Sequence, residues 1–269
     1  MKSHSQTILI TGCSRGLGKF LAEFFADKDW VVYAGIRRPE DIKQLKFVWK
    51  ESHPSIYPIK LDITEEKDCQ RVVKKIVANK EQIDVLINNA AYSLTGPTAD
   101  FTPKEYLDIL DTNTVGAFRL IREVVPQMRS QENGRIINIT SLNGIIALPN
   151  SGLYCSSKFA LEALGFAMRY ELKKDGVWVT NIAPGAITSE RKSVKRNSHL
   201  SARKRFWLIN KLMPMVTQEK VARAVERVIK DPKPPVRVIL GRDTQIITFL
   251  QRFLPQRLWD FLISFIWQR

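Results

Sequence analysis

The stretch Thr7-Ile8-Leu9-Ile10-Thr11-Gly12-Cys13-Ser14-Arg15-Gly16-Leu17-Gly18 joins an apolar run to an amphipathic one, about Phe20 to Asp27, through a turn holding three glycines. Consecutive apolar residues read as a strand, and the later segment repeats at helical spacing. A second apolar run, Val31 to Ile36, completes the order strand, turn, helix, strand. Parallel strands need such a crossover, so the chain opens as a parallel α/β sheet. The glycines stand where a backbone can approach a pyrophosphate at a helix N-terminus. Gly12, Ser14, Arg15, Gly16, Leu17 and Gly18 are therefore candidate cofactor contacts.

The alternation continues down the chain. Strands are expected at Ile56–Leu61, Ile83–Asn88, Arg135–Thr140, Val177–Ile182 and Val236–Leu240. Helices are expected at about Glu66–Ala78, from Pro103 through Asn113 to Met128, at the segment bearing Tyr154, and at Glu219–Lys230. Such a series predicts one doubly wound parallel sheet of about seven strands with helices on both faces. Residues 187–216 break the rhythm, and an apolar appendage follows from about Thr244, so the expected division is 1–243 and 244–269.

Composition agrees with an ordinary globular protein: 269 residues, 44% hydrophobic and 26% charged. Cys13, Cys69 and Cys155 are odd in number and widely spaced, which argues against a disulfide framework or zinc site and suits a reducing cytosolic compartment. His4, His53 and His199 form no metal-ligand pattern, and no metal is expected. No secretory leader is read at the N-terminus, and no apolar run is long enough to span a bilayer.

The end of the second strand discriminates between nicotinamide cofactors. A carboxylate there would bind the ribose 2′-hydroxyl of NAD. This chain has Arg37 and Arg38 instead, whose guanidinium groups suit a 2′-phosphate, with Arg15 as a further cation. NADP(H) is therefore expected over NAD(H).

Tyr154-Cys155-Ser156-Ser157-Lys158 places a phenol and an ammonium on one helix face. A lysine near a phenol favours the phenolate, which suits an acid/base catalyst.

Together these motifs resemble the short-chain dehydrogenase/reductase family over roughly residues 5–241: TGxxxGxG at Thr11–Gly18, Leu61-Asp62-Ile63, Asn88-Asn89-Ala90-Ala91, Asn113-Thr114-Val115-Gly116, Ser141, Tyr154 with Lys158, and Pro184-Gly185 with Thr188. The resemblance implies a Rossmann-like fold and a catalytic set of Asn113, Ser141, Tyr154 and Lys158. It adds Asp62, Ile63, Asn89, Ala90, Pro184, Gly185, Ile187 and Thr188, with Tyr154 and Lys158, to the cofactor contacts. It implies hydride transfer between nicotinamide and a carbonyl carbon. Tyr154 would supply the proton, Ser141 would bond the carbonyl oxygen, Lys158 would hold the ribose and Asn113 a relay water. Ala91 replaces the family's usual glycine. The region of Val32–Arg37 and the apolar tail look most like the hydroxysteroid, retinoid and acyl-ketone reductases. A non-catalytic NADP(H)-binding sensor or scaffold is the alternative.

The charge of +15 points to an anionic partner, and lacking any nucleic-acid module the chain is not expected to bind nucleic acid. Between Ser189 and Lys211, eight cations (Arg191, Lys192, Lys195, Arg196, Arg203, Lys204, Arg205 and Lys211) face one acid, Glu190, and interleave with Phe206, Trp207, Leu208 and Ile209. A basic amphipathic lid suits a long apolar substrate with an anionic head, or acidic lipid. The tail either packs over the site or a subunit interface, or lies at a membrane surface. The expected partners are thus a lipophilic carbonyl or alcohol, a second copy of the chain in a dimer or tetramer, and an acidic membrane surface reached from the cytoplasm.

Overall fold

The computed structural model describes residues 5–80, 82–188, 193–195 (backbone only) and 215–267. The expected lid cations Arg191, Lys192, Arg196, Arg203, Lys204, Arg205 and Lys211, with Phe206, Trp207, Leu208 and Ile209, lie outside the described residues, as do His4 and His199.

The strands are β1 (Thr7–Thr11), β2 (Val31–Ile36), β3 (Ile56–Lys60), β4 (Val85–Asn88), β5 (Ser93–Thr95), β6 (Gly134–Ile139), β7 (Val177–Pro184), β8 (Ser193–Lys195) and β9 (Arg237–Leu240). Seven of them form one parallel sheet in the order β3-β2-β1-β4-β6-β7-β9, while β5 and β8 pair separately. The helices are α1 (Gly16–Ala26), α2 (Pro39–Ser52), α3 (Glu66–Lys80), α4 (Pro103–Leu110), α5 (Gly116–Ser130), α6 (Gly152–Leu172), α7 (Gln218–Lys230), α8 (Arg242–Phe253) and α9 (Gln256–Trp267).

Side chains on a strand alternate between faces, and both faces of this sheet are covered. In β1, Ile8 and Ile10 pack with α1, α2 and α7, whereas Leu9 packs with α3 and α5. That is why Ile8–Ile10 of β1 and Val85–Ile87 of β4 are continuous apolar runs, in strands buried at every position.

Two expectations are corrected. The first helix starts at Gly16, because two of the motif's glycines are already helical. The expected continuous helix from Pro103 to Met128 is interrupted: a π-helical turn, Asp111–Val115, separates α4 from α5 and carries Asn113. The sheet's winding reverses between β1 and β4, which opens a crevice past their carboxyl ends. The glycine turn leaves β1 and Asn89 follows β4 at that point.

Candidate active site

Thr11 and Asn89 build the glycine turn. The Thr11 hydroxyl accepts from the Asn89 and Ala90 amides, both at 2.9 Å, and Asn89 Nδ2 donates to Thr11 O at 2.9 Å. Gly12 has φ +73°, a conformation open to glycine, and a methyl there would stand 2.9 Å from Ala90 Cα. At Gly18 a methyl would run into the Gly12 carbonyl oxygen and lie 2.6 Å from Asn89 Nδ2. The N-terminus of α1 has no side-chain cap and no acidic residue in its first turn. A helix start with open amide groups behind a side-chain-free turn fits a pyrophosphate.

Cys13 N donates to Gly35 O at 3.0 Å, tying this turn to the end of β2, where Arg37 and Arg38 are exposed. Arg15 is exposed in the turn itself. Asp62 is half-buried and its carboxylate accepts from Thr64 N and Oγ1 at 3.1 and 2.7 Å, which fixes the loop carrying Ile63. Ala91 is absent from the described residues with positive φ, so the missing glycine costs the turn nothing.

Beyond β6, Ser141 caps a short 3-10 turn by accepting from Asn143 N at 3.2 Å. A hydroxyl that accepts one bond still has its proton for an incoming oxygen. Tyr154 and Lys158 lie one turn apart on α6 and are 5% and 1% exposed. Lys158 Nζ donates to Ile139 O at 2.9 Å, tethering α6 to the carboxyl end of β6. The Tyr154 ring packs with Leu94, Ile109 and Leu153. Cys155 is buried beside it, and burial pushes its thiol up from the usual range, which makes it a poor nucleophile.

The π turn aims Asn113 at two elements. Its Oδ1 accepts from Tyr92 N at 3.0 Å, and its Nδ2 donates to Tyr92 O at 2.9 Å and to Ser157 Oγ at 3.0 Å. Ser157 in turn donates to Tyr154 O at 2.8 Å, and Thr114 Oγ1 bonds Ser157 O at 2.8 Å. The asparagine is thereby fixed to the tyrosine's own helix turn. Past β7, Gly185 N bonds Leu240 O, and the backbones of Ala186 and Thr188 pair with Val216. That pairing holds Val216 beside the backbone that follows Gly185.

A network unforeseen from sequence lies behind these residues. Asn88, Asn138 and Asn181 occupy matching register positions on β4, β6 and β7 and hand on side-chain bonds of 3.0 Å each. The ladder ends on the Glu162 carboxylate in α6, one turn beyond Lys158, which also receives Thr140 Oγ1 at 2.6 Å and Arg237 Nε at 2.9 Å. Thr140 adjoins Ser141, and a methyl at Gly144 would lie 3.0 Å from Glu162 Cγ. The signal in the sequence was faint: three apolar strands, each with one asparagine toward the end.

A separate groove of about 600 Å³ beside edge strand β3 contains none of the expected site residues; Trp49, Tyr57 and four lysines help line it.

The profile of the short chain dehydrogenase family matches residues 6–199. Among curated proteins, the chain is similar to a 3-ketodihydrosphingosine reductase of Bacteroides thetaiotaomicron, 27% identical and covering 90% of each chain. It is also similar to the ketoacyl reductase HetN of a Nostoc species, 31% identical over 93% of this chain and 84% of that one. A solved structure of ElxO with NADP bound superposes with a TM-score of 0.76 at 25% identity, covering 88% of this chain and 96% of that one. A short-chain dehydrogenase from Streptomyces avermitilis shares the fold, with a TM-score of 0.81 at 24% identity over 94% and 97% of the two chains.

Proposed function

The chain belongs to the short-chain dehydrogenase family, and from that premise we propose that it is an NADP(H)-dependent oxidoreductase of lipophilic ketones or secondary alcohols, with Tyr154 as its acid/base. The observation that carries the reading is the pairing of Tyr154 with a lysine that is 1% exposed, one helical turn apart, at the carboxyl end of the sheet. Placing an ammonium there costs desolvation, and such groups concentrate at functional sites.

NADP(H), when bound, supplies or accepts the hydride. Gly12, Gly16, Gly18 and the open start of α1 would hold its pyrophosphate, and Arg37, Arg38 and Arg15 its 2′-phosphate. Tyr154 gives its proton to the carbonyl oxygen in reduction and takes it back in oxidation. Ser141 donates to the same oxygen as charge develops there. Lys158 orients the cofactor ribose, and Asn113 orders the approach to Lys158. The names of the two curated relatives, a ketodihydrosphingosine reductase and a ketoacyl reductase, support a ketone on a long alkyl chain as substrate.

The test is NADPH oxidation across 3-oxoacyl thioesters, long-chain ketones, steroids and retinoids, with Tyr154→Phe as control. The variant should lose about 10²-fold or more in kcat while binding NADPH normally. Undiminished turnover by the variant refutes the assignment of Tyr154. NADPH binding without turnover of any carbonyl favours the sensor alternative.

A further inference from the structure

The two last helices expose apolar side chains with the same spacing. In α8 these are Ile246, Phe249 and Phe253, and in α9 Leu258, Phe261 and Phe265, each set at i, i+3 and i+7. At 100° per residue each set falls within a stripe about 60° wide. All six are large and roughly half or more exposed, with Phe253 at 65% and Phe261 at 64%. Isolated exposed apolar residues are ordinary, but a stripe of three large ones on each of two consecutive helices marks an interaction surface. The rings also pair along their own helices, Phe249 tilted against Phe253 at 4.6 Å and Phe261 stacked on Phe265 at 6.2 Å. The inward side is different: Thr244 is fully buried and α8 packs on β9.

We infer that this double stripe docks the protein on the surface of an anionic lipid bilayer. Each helix has 12 residues, about 18 Å, which falls short of the roughly 30 Å hydrocarbon core, and no described helix is long and apolar enough to cross a membrane. A helix of that length with a narrow aromatic stripe lies in the headgroup plane. Charge selects the occupant. Arg242, Arg252 and Arg257 are exposed on the same two helices, and the whole chain carries +15. A second copy brought to this face would add another +15, whereas acidic headgroups gain from each arginine near the surface. Arg252 already lies against Phe253, 5.9 Å from the ring centre, so ring and cation would enter the interface together.

Flotation of the full chain with vesicles tests the inference without any substrate. Phosphatidylcholine vesicles are compared with phosphatidylcholine mixed with phosphatidylglycerol, at low and high salt. The wild type should partition onto the phosphatidylglycerol vesicles about tenfold or more above the neutral ones, and lose this preference in salt. The F249S/F253S/F261S/F265S variant, altered only at exposed positions, should lose about tenfold or more of that partitioning with an unchanged circular-dichroism spectrum. Arg252→Glu with Arg257→Glu should abolish the lipid preference. Equal partitioning of wild type and the serine variant overturns the inference, as does equal binding to both vesicle types. Light scattering supplies a further arm: a wild-type oligomer that the serine substitutions dissociate would show that a second copy covers the stripe, and would overturn the lipid assignment.

Discussion

Removing Arg237 is the sharpest probe of the framework behind the site. Its Nε and Nη2 both reach Glu162 Oε2 at 2.9 Å, and its guanidinium lies 4.6 Å from the Phe166 ring centre. The Glu162 side chain is 4% exposed and that of Arg237 30% exposed. Breaking a fully buried pair by deleting one partner costs about 3–5 kcal/mol, because a charge is left uncompensated. Here Thr140 Oγ1 and Asn181 Nδ2 still serve the carboxylate, and water can reach the vacated side, so Arg237→Met should cost about 2–3 kcal/mol. In a chain of this size that lowers Tm by about 5–10 °C. Glu162→Gln preserves shape but removes the charge that Arg237 is paired with, for a similar loss. Urea unfolding of both single variants and of the double variant measures the coupling. The double variant should be less destabilised than the sum by about 1 kcal/mol or more. Because Thr140 adjoins Ser141, the single variants should also lower kcat while leaving NADPH affinity alone. A loss below about 0.5 kcal/mol for Arg237→Met, or a strictly additive double variant, refutes the ladder as an energetic unit.

Other perturbations test the cofactor end and the pH response. Gly18→Ala pushes a methyl onto the Gly12 carbonyl and within 2.6 Å of Asn89 Nδ2, so the turn must move; a loss of about 1–3 kcal/mol and weaker NADPH binding should appear in melts and fluorescence titration, and normal binding refutes the cradle. If Arg37 holds the 2′-phosphate as proposed, Arg37→Ala should weaken NADPH by about 10- to 100-fold with NADH unchanged, whereas an unaltered preference between the two refutes the assignment. Asp84 receives Thr7 N at 2.6 Å, yet burial raises its pKa. The fold therefore holds that proton more tightly than the unfolded chain, and the stability this gives is present at low pH and lost as pH rises through the carboxylate range. Asp84→Asn, which keeps the acceptor, should gain in Tm relative to wild type near pH 7 and not near pH 3; equal effects at the two pH values refute the sign.

Local signals carried the fold. Each main strand is a short apolar run and each crossover helix has an amphipathic period, so the order of elements follows from periods of 2 and 3.6 residues. The site motifs were legible for a related reason: Gly12 to Gly18 and Tyr154 to Lys158 are short-range patterns whose spacing itself has a geometric meaning. The break at Asp111–Val115 was illegible, because nothing in Asp-Thr-Asn-Thr-Val distinguishes a π turn from continued helix. Its cause is tertiary, since Asn113 satisfies the Tyr92 backbone, twenty-one residues away, and Ser157, forty-four away.

The amide ladder extends that reasoning. Asn88, Asn138 and Asn181 look like defects in apolar strands when read one at a time, since a buried amide without partners costs free energy. Read across the sheet they bond in series, Asn88 Nδ2 to Asn138 Oδ1 and Asn138 Nδ2 to Asn181 Oδ1, and of these three side chains only Asn88 Oδ1, at the open end, is left buried without a bond among the described residues. A slip of one residue between β4 and β6 would set Asn88 opposite Ile137 or Ile139 instead of Asn138 and strand both amides in the core, so the ladder penalises wrong registers as well as holding the right one. Its far end reaches Glu162, and with it the helix bearing Tyr154 and Lys158 and the strand end bearing Thr140 and Ser141. Register in the sheet is thus converted into the relative placement of the candidate catalytic groups. A substitution at Asn138, far from any substrate, should therefore disturb turnover through Ser141 before it disturbs the binding of NADPH at the glycine turn, which hangs on Thr11 and Asn89 instead.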